Sequence, residues 1–571
     1  MPHFITSLAG RLTSSLSLSA AEFLRLLPLV AIHAAALIMM HEFESGALRT
    51  AIYLLTWGFI NFLLIALLRR PALAGALSLA IFGSLIWISL FKFGVIRMTA
   101  NFMDVMIIDR ETFSFLWNVS PQLRIIGFIA AALAIPVAVL LWWVDPWRIR
   151  RLTAAAAAAV CLVIVASVSL AFPYNDGESF GHYNNVSMFV RSGIEGVHIL
   201  ANQGLLESDA LVTQRLKLVG EEPCHPAGQP PHIILLHDES SFDIRAVNGI
   251  KVPDRYGPHF KSFDGKTRTM VVEGAGGPSW YTEYNVLSGL SSRSYGRFQF
   301  FVTRIAGGRV RRGLPNALRH CGYRTFAIYP VNGAFLGSRS FYNGVGVQRF
   351  IDGQEIHGRE FEPDRFYFDN AVRMIAQERT KAPMFLHLYL TANHFPYNTQ
   401  FRPDLTPDDW RNPGNTLPVV DEYLRRQTMT ARDYQDFLAR LKREFPGEPF
   451  LIVRYGDHQP DFAAEIVDPT ADFDELERRV AARDPRYFTS YYAIDALNFR
   501  PANTSSALDT LDAPYLPLVV LEGAGLPLDP SFAEQKRILQ RCNGLFYACG
   551  DGAEARRFNR LLIDAGLITG L

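Results

Sequence analysis

Hydrophobic positions in the first third of the chain form unbroken runs at 23–40, 50–68, 72–91, 125–144 and 152–172. Each approaches the roughly 20 apolar residues that cross a bilayer. Almost no charge stands inside them, so the pattern predicts five spans and not core helices of a large soluble protein. The first run starts late and lacks a small-residue cleavage site, which predicts a retained anchor and not a removable signal peptide. Past residue 172 the pattern changes. Short apolar runs at 233–236, 269–272, 325–329, 384–390, 450–454 and 516–521 read as strands. Helical patterns such as 364–378 and 429–445 separate some of them. Strand–helix alternation predicts an α/β domain with a mostly parallel central sheet.

The expected layout is a transmembrane domain over 1–172, connector helices over 173–230 and a catalytic domain over 231–571. A loop over about 92–123 carries Asn101-Phe-Met-Asp-Val-Met-Ile-Ile-Asp-Arg and Phe113-Ser-Phe-Leu-Trp. Both suit an amphipathic helix at the membrane interface, or one packed beneath the soluble domain. The connector includes a helical stretch at 186–206. Arg69-Arg70 and Arg148-Ile-Arg150-Arg151 lie in the loops after runs two and four, whereas the loop after run one, His41-Glu42-Phe43-Glu44, is acidic. Positive loops stay in the cytoplasm, so everything after residue 172 is expected outside. In a bacterium this predicts a multi-pass protein of the inner (cytoplasmic) membrane with its catalytic domain in the periplasm.

Composition narrows the class further. A chain of 571 residues exceeds one core. Its net charge of +1, with no dense Lys/Arg block, argues against a nucleic-acid partner. Cys161 falls inside the fifth run, and Cys224, Cys321, Cys542 and Cys549 lie in the exported part. An even number in an oxidising compartment permits two disulfides, and Cys542 with Cys549 is the first pairing expected because they are close in sequence. None has zinc-finger spacing.

The chemistry sits where strands end. Pro231-His-Ile-Ile-Leu-Leu-His-Asp-Glu-Ser-Ser-Phe runs a strand into Glu239, and Leu451-Ile-Val-Arg-Tyr-Gly-Asp-His-Gln-Pro runs another into Asp457 and His458. Open α/β sheets place their sites outside the carboxyl edge. Two carboxylates and an imidazole there are three ligands for a divalent ion, with a position left for substrate. Asp238 is a rival first ligand, and Asp461 and His237 are weaker ones. Manganese, zinc or magnesium fits such donors.

The segment Gly274-Ala-Gly-Gly-Pro-Ser-Trp-Tyr-Thr-Glu-Tyr places a hydroxyl at the expected start of a helix. Ser279 is the candidate nucleophile and fourth ligand, and Thr282 the runner-up; an N-cap is the structural alternative for Ser279. His394, in Thr391-Ala-Asn-His-Phe-Pro-Tyr, and Arg339, in Phe335-Leu-Gly-Ser-Arg-Ser-Phe-Tyr, are candidate phosphate contacts. Trp280 is a candidate wall for the lipid or sugar.

These pieces, in this order, resemble the alkaline-phosphatase (sulfatase-like) superfamily, and within it the lipoteichoic acid synthase and phosphoglycerol transferase branch. Glu239-Ser240, Ser279 four residues before Glu283, Asn393-His394-Phe395-Pro396 and Tyr455-Gly456-Asp457-His458 each resemble a motif of that branch. The branch usually has threonine where Ser279 stands. The Glu-Thr-x-Arg and Ser-Asp-His-Gly-Glu motifs of phosphoethanolamine transferases do not occur. The Cys/Ser-x-Pro-x-Arg motif of sulfatases is also missing, since Cys224-His-Pro-Ala-Gly lacks its arginine. The resemblance implies a metal-dependent transfer of phosphoglycerol from phosphatidylglycerol to a hydroxyl acceptor, a glucan, polysaccharide or lipid, through phospho-Ser279. Phosphoethanolamine transfer to lipopolysaccharide or a glycan, and hydrolysis of a phosphodiester, are the alternatives. A non-catalytic membrane protein that binds lipid is a third reading, disfavoured by the complete ligand set.

Overall fold

The computed structural model describes residues 20–96, 98–107, 121–174, 183–216, 224, 226, 228–359 and 361–571. The chain divides into two compact units, Met1–Asn202 and Gln203–Leu571.

In the first unit the five apolar runs are the helices Ala20–Phe43, Ala47–Leu68, Pro71–Ile96, Pro121–Val144 and Arg151–Ala171. All five are long and apolar enough to cross a membrane. Their outward faces expose Ile38, Leu133, Trp143, Leu152 and Val163, a surface that suits hydrocarbon and not water. Carboxylates close the helix ends, where backbone N–H groups have no partner within the helix. Asp145 Oδ2 accepts from the Ala72 amide at 2.7 Å. Glu44 accepts from the amides of Val186 and Ser187 at 2.9 and 3.2 Å and from the Ser187 hydroxyl at 2.5 Å. These bonds cap the helix Asn185–Asn202. Within the 92–123 loop, Phe102–Ile107 forms a short helix, while Phe113-Ser-Phe-Leu-Trp lies outside the described residues.

The second unit is built on one eight-stranded sheet. Its strands are β1 (His232–Asp238), β2 (Arg268–Val271), β3 (Arg324–Ile328), β4 (Arg349–Ile351), β5 (Met384–Leu390), β6 (Phe450–Gly456), β7 (Thr489–Leu497) and β8 (Thr510–Asp512). They lie in the order β4-β3-β5-β1-β6-β7-β2-β8. All pairs are parallel except those of β7, which runs antiparallel to β6 and β2. The central strands β1, β5 and β6 are buried along their whole lengths, as strands covered on both faces must be.

Alternation divides those strands between two environments. Ile234, Leu236, Leu386, Leu388 and Ile452 pack against Phe368, Val372, Ile375, Phe437 and Leu441 of the helices Asp364–Glu378 and Pro418–Glu444. The residues between them, His237, His387, Tyr389 and Tyr455, take the opposite face and carry the polar groups described below. The segment 516–521, expected as a strand, is instead part of the helix Leu516–Gly523. Its apolar run carries Pro517, which a first helical turn tolerates because the missing N–H would be unpaired there anyway. Cys542–Cys549 and Cys224–Cys321 are both disulfide-bonded, and Cys161 is free.

Candidate active site

The carboxyl ends of β1 and β6 sit side by side, with His237 opposite Tyr455 and Asp238 opposite Gly456. That register brings Glu239, just past β1, to the Asp457–His458 pair just past β6. The third contributor arrives on a helix. Gly276, at φ 67°, and Pro278 turn the chain after β2 so that Ser279 opens the helix Ser279–Ser288.

Four side chains expected to act together do meet. Ser279 Oγ lies 3.1 Å from Glu239 Oε2 and 3.1 Å from His458 Nε2. His458 Nε2 is 3.2 Å from Asp457 Oδ2 and 3.5 Å from Glu239 Oε1. All four residues are buried. Supporting bonds fix each one. Tyr389 donates to Glu239 Oε2 at 2.6 Å and Ser240 Oγ to Oε1 at 2.9 Å. The amides of Ser240 and His458 donate to Asp457 Oδ1 at 2.7 and 2.8 Å. His458 Nδ1 lies 2.7 Å from the Gln459 carbonyl, which can only accept. That contact places the ring proton on Nδ1 and leaves Nε2 as a bare lone pair facing the carboxylates.

Such a cluster is short of positive charge. Asp457 Oδ2 is fully buried with no hydrogen-bond donor, and so is His237 Nε2, 3.1 Å away from it. The contact between them is short yet poorly directed, so it does not count as a hydrogen bond. Leaving buried acceptors unpaired costs free energy. The ligand atoms of His237, Glu239 and Asp457 lie within 4.8 Å of one another. Two carboxylates with an imidazole beside them, His237 on this side and His458 at 3.2 and 3.5 Å, are donors that fit a divalent cation. The electrostatics agree. Burial acts against ionised Asp457, yet His458 and His237 beside it hold its carboxyl well below the usual range. Burial works to lower His237, but Asp457 outweighs it and raises that imidazole. Burial pushes Glu283, one turn beyond Ser279, up to about 7.

Other candidates fall elsewhere. Asp238, the rival ligand, points to the opposite face of β1 and accepts from Tyr491 OH at 2.5 Å. Asp461 is exposed and is not one of the clustered ligand residues. Thr282 donates to the Asp457 carbonyl at 2.7 Å, which supports the loop. Trp280 packs edge-on against Phe300 and Phe335 and donates to the Phe300 carbonyl at 2.7 Å. Arg339 is held by Asp352 and Glu355 at 2.7 and 3.0 Å. His394 stacks between Phe361 and Phe395, at 4.1 and 4.3 Å. Its loop is anchored by the buried Arg426, which donates to the carbonyls of His394 and Pro396 at 2.6 and 2.7 Å. These contacts tie Trp280, Arg339 and His394 to their own surroundings and not to the four clustered residues. His237, with Asp461 a weaker ligand candidate than Asp238 by sequence, is drawn into the cluster instead.

Residues 259–487 match the family model described as Sulfatase. No curated protein matches the sequence. Among solved structures, the chain is similar to the lipoteichoic acid synthase LtaP from Listeria monocytogenes, at 15% identity over 58% of this chain and 78% of that one, TM-score 0.39. It is similar to the Streptococcus pyogenes phosphoglycerol transferase GacH, solved with sn-glycerol-1-phosphate, at 15% identity over 59% and 87%, TM-score 0.45. It is also similar to the integral membrane lipooligosaccharide phosphoethanolamine transferase A (EptA) from Neisseria meningitidis, at 12% identity over 79% and 88%, TM-score 0.40. The matched segment and the mostly parallel sheet around it make this a sulfatase-like α/β domain. In this chain that domain follows a multi-pass membrane bundle.

Proposed function

We propose that the protein is a membrane-anchored, metal-dependent transferase that moves a phosphoglycerol head group from phosphatidylglycerol to a hydroxyl acceptor on a glycan or lipid. The observation that carries this reading is Ser279 Oγ lying 3.1 Å from both Glu239 Oε2 and His458 Nε2 at the start of a helix. A serine with two proton acceptors beside it is an activated nucleophile.

Glu239, Asp457, His458 and Ser279 would hold the divalent ion, which when bound offsets negative charge on the phosphoryl oxygens and lowers the serine pKa. The chain's own residues do the rest. Ser279 Oγ loses its proton toward Glu239 Oε2 and attacks phosphorus. The bond from phosphorus to the diacylglycerol oxygen breaks, and diacylglycerol leaves with a proton. The head group stays on Ser279 as a phosphodiester. An acceptor hydroxyl then attacks the same phosphorus, and Ser279 Oγ is released with its proton restored. His394 and Arg339 remain the proposed contacts to the head group, and Trp280 a proposed wall beside it. Five apolar helices suit a donor that never leaves the bilayer.

The phosphoethanolamine reading uses the same centre. It is disfavoured by the motifs around Glu239 and Asp457, which follow the phosphoglycerol branch. The test is intact-protein mass spectrometry of the full-length enzyme in mixed phosphatidylglycerol and phosphatidylethanolamine micelles. The mass gained on Ser279 names the head group. Unchanged diacylglycerol release by Ser279→Ala would remove this serine from the reaction.

A further inference from the structure

A string of buried groups runs away from the cluster beneath the sheet edge. Tyr342 OH donates to Glu283 Oε2 at 2.7 Å and lies 3.3 Å from His387 Nδ1. His387 Nε2 lies 2.9 Å from Tyr455 OH, and Tyr455 OH lies 3.0 Å from His237 Nδ1. Every member is buried, and together they join the nucleophile helix, the helix Ser338–Gly344 and the three central strands.

The protons in this string can be assigned from its far end. Each phenol has one proton to give, because burial raises both tyrosines well above their usual range. Burial keeps His387 neutral, so it has one N–H and one lone pair. Tyr342 spends its proton on Glu283. His387 therefore donates from Nδ1 to Tyr342 and accepts at Nε2 from Tyr455. Tyr455 has then spent its proton, so His237 must donate to it from Nδ1. With Nδ1 turned to Tyr455, His237 presents its Nε2, buried and unpartnered, to the equally unpartnered Asp457 Oδ2 3.1 Å away, and both lie within 4.8 Å of a Glu239 oxygen. Unpartnered polar atoms in a dry site are costly, and a cation shared between them would satisfy both.

We propose that His237 is a further ligand of the divalent ion, joining Glu239, Asp457 and His458, and that the Tyr455–His387–Tyr342–Glu283 string is what aims it. Ligating histidines generally donate their other ring N–H to a partner that fixes the tautomer; here that partner is Tyr455, backed by His387, Tyr342 and the Glu283 carboxylate. The string also spans from Asp457 to the helix bearing Ser279. It therefore sets the spacing between ligands and nucleophile. The inference rests on the metal-dependent reading given under Proposed function.

The test is pulsed EPR of the full-length protein loaded with Mn2+ in detergent, counting imidazole nitrogens coupled to the ion. Two are expected in the wild type, one in His237→Gln and one in His458→Gln. Tyr455→Phe is expected to retain both couplings while weakening Mn2+ binding by ~10–100-fold in chelator competition, the usual cost of losing a ligand's supporting partner. A single nitrogen in the wild type, lost with His458→Gln and unchanged in His237→Gln, would overturn the assignment while leaving the metal-dependent transferase intact. Mn2+ and Zn2+ both failing to bind the wild type would overturn the assignment and that reading together.

Discussion

Ser279 and His458 stand 179 positions apart in sequence, yet the serine hydroxyl lies 3.1 Å from the imidazole Nε2. Nε2 is the atom assigned to the ion, so the two share one centre, and Glu239 Oε2 at the same range is the acceptor for the serine proton. Ser279→Ala should lower diacylglycerol release by ~10³-fold or more, the scale on which loss of a nucleophile acts. Ser279→Thr keeps the hydroxyl and should retain most of the rate. Parallel assays of both variants on labelled phosphatidylglycerol check this, and a Thr variant as inactive as Ala would argue that shape, not the hydroxyl, matters at 279.

Gly456 ends β6 one residue before Asp457, and a Cβ there would overlap the Ser241 carbonyl and the Ser490 hydroxyl. Backbone cannot yield as a flexible side chain can, so Gly456→Ala should push β6 away from the loop after β1. The cost expected for such overpacking is about 1–3 kcal/mol. Because Asp457 moves with it, divalent-ion affinity should fall more than the melting temperature does. Chelator competition and a thermal melt on the same preparation separate the two.

Asp364 begins a helix with its carboxyl buried, accepting from the amides of Thr391 and Ala392 and from Thr430. Burial, and then Asp238 nearby, push it up to about 8 from an ordinary 3.8. Folding therefore takes up a proton between those two values. The stability this provides is complete below pH about 4 and is lost as pH rises through about 8, at up to about 1.4 kcal/mol per pH unit. Asp364→Asn cannot ionise, so its melting temperature should gain on the wild type steadily from pH 5 to pH 8 and level off above that. A difference that stays flat across that range would show that Asp364 does not titrate there.

The two disulfides close loops of very different length, 97 residues for Cys224–Cys321 and 7 for Cys542–Cys549. A crosslink stabilises mainly by restricting the unfolded chain, so its effect grows with the loop it closes. On that scale the long loop contributes about 4–5 kcal/mol and the short one about 2 kcal/mol. Denaturant melts of Cys224→Ser/Cys321→Ser and Cys542→Ser/Cys549→Ser should rank in that order.

The parts of the fold that could be read from sequence are those governed by local pattern. The central strands announce themselves as apolar runs, 233–236 in β1 and runs interrupted only by His387 in β5 and Arg454 in β6, and the five membrane helices as longer ones. β4 and β8, at three residues each, are too short to show a period. β7 mixes Tyr491 and Ile494 with Ser490 and Asp495, so its buried side is masked by polar neighbours. Leu516–Gly523 was ambiguous because an apolar run of that length suits either state. At the site, Glu239, Asp457 and His458 stood at strand ends where chemistry is expected. His237 could not be weighed in the same way. Its importance depends on Tyr455 and His387, which reach it only through strand pairing across more than 100 residues of chain. The pairing of Arg339 with Asp352 and Glu355 is likewise hidden in the sequence, because those partners lie beyond an intervening strand.

The cluster draws Glu239 from early in the domain and His458 from far along it, by way of neighbouring central strands. A polypeptide made from its amino end thus has no working centre until the ribosome has passed residue 458. Every truncated or stalled product shorter than that lacks part of the cluster, and the full set of side chains comes into being only once most of its sheet has been synthesised.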